Sequence, residues 1–100
     1  MPVYKLSGKA LSDLIEIGRY TAKKWGIKQR NLYLKQLDDC FTELSENPNL
    51  GIKCDYISKG YRKFPQGSHI IFYKSTSKSS VHIIRVLHKS MDAESHLQAV

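Results

Sequence analysis

The hydrophobic period changes halfway along this chain, and that change restricts the fold more than any other feature. Up to residue 50 the apolar residues recur at helical spacing. From Lys9 to Trp25, the residues Leu11, Leu14, Ile15, Gly18, Ala22 and Trp25 form one stripe. A ridge of Ile17, Tyr20 and Lys24 runs beside it. Between Lys28 and Glu46, Tyr33, Leu37, Cys40, Phe41 and Leu44 line one face, and Asn47-Pro48 stops the pattern. After that the period drops to two. Ser68–Ser75 and Val81–Leu87 are rich in Ile, Phe, Tyr and Val, and a short polar stretch between them predicts an antiparallel hairpin. Chains that place helices first and strands last fold as α+β layers.

The shorter segments fill in this outline. Val3-Tyr4-Lys5-Leu6 reads as a first strand, and Ser7 can cap the helix that follows. Gly18 costs about 1 kcal/mol of helix propensity against alanine, which a close helix crossing would explain. Gly26 suits a left-handed helix end, so the two helices should pack as an antiparallel hairpin. Cys54-Asp55-Tyr56-Ile57 is a weak strand. Tyr61-Arg62-Lys63-Phe64 is another, ended by Pro65-Gln66-Gly67, and Asp92 can cap a last helical turn through Leu97. The expected order is β-α-α-β-β-β, a helical hairpin packed on a mostly antiparallel sheet. A length of 100 residues makes this a single domain, 1–100.

Several function classes find no support. The four histidines do not cluster with Cys40 or Cys54 at metal-ligand spacing, and there is no phosphate-binding glycine loop or nucleophile elbow. The two cysteines make no disulfide framework, and Cys40 falls on the apolar side of its helix. The beginning of the chain reads as neither a signal peptide nor a membrane anchor, so a cytoplasmic location is expected. The net charge of +7 favours polyanionic partners.

Polar residues among strand hydrophobics are the candidates for function. Arg85 sits between apolar neighbours, where an arginine either has an internal carboxylate partner or serves a binding site. Arg62 poses the same choice beside a turn. His88 ends its strand, and histidine is the side chain most often used as a general acid–base near neutral pH. By strict alternation Val81, Ile83, Arg85 and Leu87 share one face and His82, Ile84, Val86 and His88 the other. Joint action of Arg85 and His88 would need a bulge between them.

Taken in order, these residues resemble the ParE toxins of bacterial toxin–antitoxin modules, within the RelE/ParE superfamily. The match covers nearly the whole chain. It runs through Ala10, Asp13-Leu14, Ile17, Tyr20 and Trp25-Gly26, then Tyr33, Leu37, Phe41, Leu44, Asn47-Pro48 and Gly51. In the sheet it includes Arg62, Phe64-Pro65, Gly67 and Ile71-Phe72-Tyr73, and closes on Arg85-Val86-Leu87-His88 with Met91-Asp92. Arg30 departs from the family, which often has alanine there, and this bears on the packing between the helices. The resemblance implies a RelE/ParE-like fold and a toxin that poisons DNA gyrase. Such a toxin is no enzyme, needs no cofactor, and is neutralised by a ParD-type antitoxin in a higher-order hetero-oligomer. It implies Leu14, Ile17, Tyr20 and Trp25 as the antitoxin-binding groove, and Arg62, Arg85, His88 and Lys89 as target contacts. The alternative is a ribosome-dependent mRNA endoribonuclease of the RelE type, in which Arg62, Arg85 and His88 would be catalytic. No tyrosine follows Tyr73 to serve such an enzyme as a C-terminal acid–base.

Overall fold

A computed structural model describes residues 3–77 and 80–97. The elements are β1 (Val3–Leu6), α1 (Gly8–Trp25), α2 (Ile27–Glu46), a 3-10 turn at Pro48–Leu50, β2 (Ile52–Lys53), β3 (Tyr61–Gln66), β4 (His69–Ser77), β5 (Ser80–His88) and α3 (Ala93–Leu97). The sheet order is β1-β5-β4-β3-β2. β1 runs parallel to β5, and every other pair is antiparallel. The fold is therefore α+β, with both long helices on one face of the sheet.

Ser7 starts α1 as expected. Its Oγ accepts from the Ala10 N–H at 2.9 Å and donates to the Ile84 carbonyl at 2.6 Å. One serine thus caps a helix and closes a strand edge. Gly26 alone joins the two helices. Its φ of 94° and ψ of 166° are open to glycine but lie outside the left-handed helical region that was expected. Gly18 faces the aliphatic stem of Arg30 and also Leu34, which lies as far past Gly26 as Gly18 lies before it, the register of an antiparallel hairpin. Arg30 fills the space over Gly18, and its guanidinium turns out to Asn31 at 2.9 Å.

The buried face of α1 is not the expected stripe. Ala10, Ile17, Gly18 and Thr21 are buried, whereas Leu11, Ile15 and Trp25 are exposed. The helix is rotated so that the supposed side ridge holds the core position Ile17. Leu37, Cys40, Phe41 and Leu44 of α2 pack with it against Ile71, Tyr73, Val81, Ile83 and Val86. Burial pushes the Cys40 thiol up to about 11, as fits a core residue.

Three strand expectations change. Cys54–Ile57 is a turn: Ile57 N–H donates to the Cys54 carbonyl at 3.0 Å, and Gly60 N–H donates to Asp55 at 2.9 Å. Its Cys54 and Ile57 turn inward against Phe72, Ile84, Leu87 and Leu97 on the sheet's other face. β3 continues through Pro65 to Gln66. β2 pairs only with Arg62 and Lys63, so Pro65 lies where β3 is an edge strand and proline is tolerated. β4 and β5 extend to Ser77 and Ser80, which pair with each other, so the strands run into the expected polar turn, whose residues 78–79 lie outside the described ones.

The alternation of β5 is broken by a bulge. Tyr73 pairs with Ile83 but Phe72 with Arg85, leaving Ile84 as an extra residue. Val86 and His88 therefore return to the helix-side face with Val81 and Ile83. Ile84 and Leu87 take the other face.

Candidate functional site

A groove of about 950 Å³ opens between the second half of α1, the start of α2, and the end of the sheet where β4 begins and β5 stops. Ile17 and Thr21 lie in its floor. Tyr20, Lys24 and Trp25 rise from α1, Gln29 and Tyr33 come from α2, and Ser68, His69, His88 and Met91 close the sheet end. Tyr20 and Trp25 are 60% and 66% exposed, a large apolar area for a helix end. The Lys24 ammonium lies 5.6 Å from the Tyr20 ring centre and 5.7 Å from that of Trp25. It holds the two rings as one ridge.

At the sheet end, His69 and His88 are a direct cross-strand pair with rings edge-to-face at 5.5 Å. The Tyr33 hydroxyl meets His69 Nδ1 at 2.6 Å, accepts from Ser68 N–H at 3.2 Å and reaches the Gln66 carbonyl at 3.1 Å. The hairpin turn that brings these groups together starts at Gly67. Its φ of 58° suits the first central position of a type II′ turn, and a Cβ there would strike the Tyr33 ring. Burial, and then the neighbouring His88, hold the His69 pKa below the usual histidine value. His88 Nδ1 accepts from the Ser90 N–H at 3.1 Å, which leaves Nε2 to carry the proton of the neutral ring.

The two arginines are committed elsewhere. Arg85 forms a two-pronged ion pair with Asp13 of α1, Nε and Nη2 each 2.8 Å from a carboxylate oxygen. Both side chains are only 14% exposed. Asp13 also accepts from the Val86 N–H at 3.0 Å. β1 ends opposite Ile83, so without Asp13 this stretch of β5 edge would be bare. Arg62 donates to the Gly51 carbonyl at 2.7 Å. There it joins Tyr73, whose hydroxyl accepts from Gly51 N–H at 2.7 Å and donates to the Pro48 carbonyl at 2.8 Å. Both arginines pin one element to another. The bulge that could have joined Arg85 to His88 is present, but Arg85 turns to the strand edge and His88 to the groove.

Of the expected groove residues, Ile17, Tyr20 and Trp25 share this groove. Leu14 does not: it lines a shallower groove of about 590 Å³ between α1 and α2 with Ile15, Gly18 and Leu34. The reason is the helical repeat, which sets Leu14 about 120° around the axis from Tyr20. Lys89 is exposed just past His88, and its N–H donates to the Ser68 carbonyl at 3.0 Å. Sequence reading missed His69, Met91 and the role of Asp13. The pairing of His69 with His88 depends on a register that the Ile84 bulge shifts by one. Among the described residues, no three His, Cys, Asp or Glu side chains gather as a metal site would require, and no helix is long and apolar enough to cross a membrane.

Comparison with known proteins adds a family. The model of the ParE toxin of type II toxin–antitoxin system, parDE, matches residues 4–93. Toxin ParE1 of Mycobacterium tuberculosis (strain ATCC 25618 / H37Rv) is 39% identical over 94 residues, covering 94% of this chain and 96% of that protein. Toxin ParE1 of Caulobacter vibrioides is 38% identical over 97 residues, covering 97% and 99%. Among solved structures, one from the chromosomal ParDE TA system of P. aeruginosa superposes with a TM-score of 0.72 at 17% identity, covering 88% of this chain and 96% of its own. A YafQ mutant from E. coli gives 0.51 at 18% identity, covering 90% and 96%. At such identities these two likenesses speak for the fold alone.

Proposed function

The chain belongs to the ParE family, the toxins of type II ParDE toxin–antitoxin systems, and on that premise we propose that it poisons DNA gyrase. It holds gyrase on cleaved DNA and stalls replication, and it acts as a binding protein rather than as an enzyme. An antitoxin partner comes with the family. The finer reading is a ParD-type antitoxin that neutralises the toxin in the cytoplasm, within a larger hetero-oligomer.

One observation carries the choice between gyrase poison and ribonuclease: the state of the two arginines. Phosphoryl-transfer chemistry needs cationic donors aimed at the reacting phosphate. The Arg85 fork is filled by Asp13, and Arg62 is spent on the Gly51 carbonyl. Neither faces His88 across a space that a phosphodiester could occupy. The groove offers instead an exposed aromatic ridge, Tyr20 and Trp25 over a floor of Ile17, which suits the apolar face of an antitoxin segment that folds on binding. Arg62, Arg85, His88 and Lys89 then act as a rigid frame and contact surface for the target.

The order in which syntheses stop after induction in bacteria tests this. Pulse-labelled DNA synthesis should halt before protein synthesis. Arrest of translation first, with mRNA cut at codon positions, would favour the ribonuclease.

A further inference from the structure

The charge of this chain is unevenly placed. Residues 51–90 hold eight of the sixteen basic residues and one of the nine acidic ones, while α1 and α2 hold six of the acids. The ion pairs Arg19–Glu16, Lys35–Asp39 and Arg85–Asp13 all take up acids of the helices. Strand pairing then arranges part of the positive charge. Lys5 pairs with His82, His82 with Lys74, and Lys74 with Tyr61. The residues alternating with these, Tyr4, Tyr73, Val81 and Ile83, all belong to the helix-side core. Lys5, His82, Lys74 and Tyr61 therefore form one row straight across four strands, on the face away from α1 and α2. Lys63 follows Tyr61 on the same face, its ammonium 3.1 Å from the hydroxyl of the exposed Tyr56.

We propose that this row is a contact surface for the phosphate backbone of duplex DNA. The row is built of hydrogen-bond donors and cations, the groups that hold phosphates, and lacks the large apolar anchors of a protein interface. With strands about 4.8 Å apart it extends for about 14 Å. Duplex DNA presents roughly eight phosphate charges over such a length. Lys5 is exposed, and His82, Lys74 and Tyr61 are partly so, each fixed by a paired strand. On the same face Phe72, Ile84 and Leu87 are covered by α3 and the 54–57 turn, which leaves the row open between the exposed Val3 and Ile52 on the two edge strands. A binding protein that acts on gyrase holding cleaved DNA would in this way touch the DNA directly. That biological role rests on the gyrase reading above; the contact itself does not need gyrase.

The test is fluorescence anisotropy of a labelled duplex oligonucleotide with the purified protein, over a range of salt. Thermal unfolding verifies that each variant is folded. K5E/K74E should weaken binding at least tenfold and reduce the log–log salt slope by about 2. K23E/K28E, which changes the net charge equally on the helical hairpin, should weaken it less than threefold. K5Q/K74Q replaces the reversal if that variant does not fold, and should fall in between. Equal losses from the two reversals would overturn the proposal, since net charge alone would then explain binding. So would absence of binding at about 0.15 M salt, or displacement of DNA by polyglutamate at matched charge, which would assign the row to acidic protein. If DNA binding fails while gyrase is still poisoned, this inference falls and the gyrase reading stands. If gyrase is unaffected while DNA binding depends on Lys5 and Lys74, the reverse holds.

Discussion

Asp13 and Arg85 lie 72 residues apart in sequence and meet through two 2.8 Å hydrogen bonds, and the Val86 N–H donates a third to the Asp13 carboxylate. The carboxylate does for the open edge of β5 what another strand would do, and the guanidinium clamps α1 to the sheet. Breaking a largely buried pair from one side leaves a charge uncompensated. Asp13→Asn should therefore cost about 3 kcal/mol, read as a lower denaturant midpoint at unchanged m-value. A double variant, D13N/R85M, should recover part of this loss. Toxicity should decline in step with stability in all of these variants. Normal stability with lost toxicity in the Arg85 variant would give the arginine a direct contact role.

His69 supplies a pH dependence. Its folded pKa lies below the ordinary value of 6.5, because burial and His88 oppose its charge. Between the two values the unfolded chain binds more protons than the folded one, so stability rises with pH there and is lost on acidification below about 6.5. His69→Gln can retain a partner for the Tyr33 hydroxyl and should flatten that fall. Thermal melts of both proteins from pH 7.5 to 5 provide the comparison.

Gly51 is a close-approach glycine. A Cβ there would sit 2.9 Å from the Lys63 carbonyl oxygen and closer still to the Tyr73 hydroxyl. Gly51→Ala should destabilise by about 2 to 3 kcal/mol through overpacking. Gly18→Ala, whose Cβ would meet Leu34 at 3.4 Å, should stay within about 1 kcal/mol of the parent. Chemical denaturation of the two variants side by side separates a backbone packed against its neighbours from a helix crossing with room.

Tyr20 and Trp25 are exposed and outside the core, so removing them should spare the fold. Trp25→Ala and Tyr20→Ala should each weaken antitoxin binding by about 2 kcal/mol with less than 0.5 kcal/mol lost in stability. Titration calorimetry against the antitoxin measures the first and thermal melts the second. Undiminished affinity would remove this ridge from the interface.

Much of the architecture was legible because period and caps act locally. Ser7, Gly26, Asn47-Pro48 and Asp92 mark helix boundaries within a residue or two, and the ParE family model matches residues 4–93. What failed depended on tertiary choices. The face that α1 buries is set by how Gly18 meets Arg30 and Leu34, and the sequence stripe, with its larger Leu11 and Ile15, pointed to the wrong one. The Cys54–Ile57 turn is made by Asp55 bonding to Gly60 across the loop. The bulge at Ile84 leaves no trace in a run of β-formers, yet it decides which face His88 takes. The candidate site was legible in part. Ile17, Tyr20 and Trp25 do share a groove, but Leu14 is carried away from them by the helical repeat. The partner of Arg85 could not be read from β5, because it comes from the other end of the chain.

As the gyrase poison proposed above, this toxin should act on gyrase by binding alone. Purified gyrase with supercoiled plasmid and folded toxin, with and without antitoxin, tests it most directly. Cleaved DNA should accumulate with free toxin and disappear when antitoxin is added. Active gyrase that continues to supercoil, with no cleaved DNA at any toxin concentration, would contradict it.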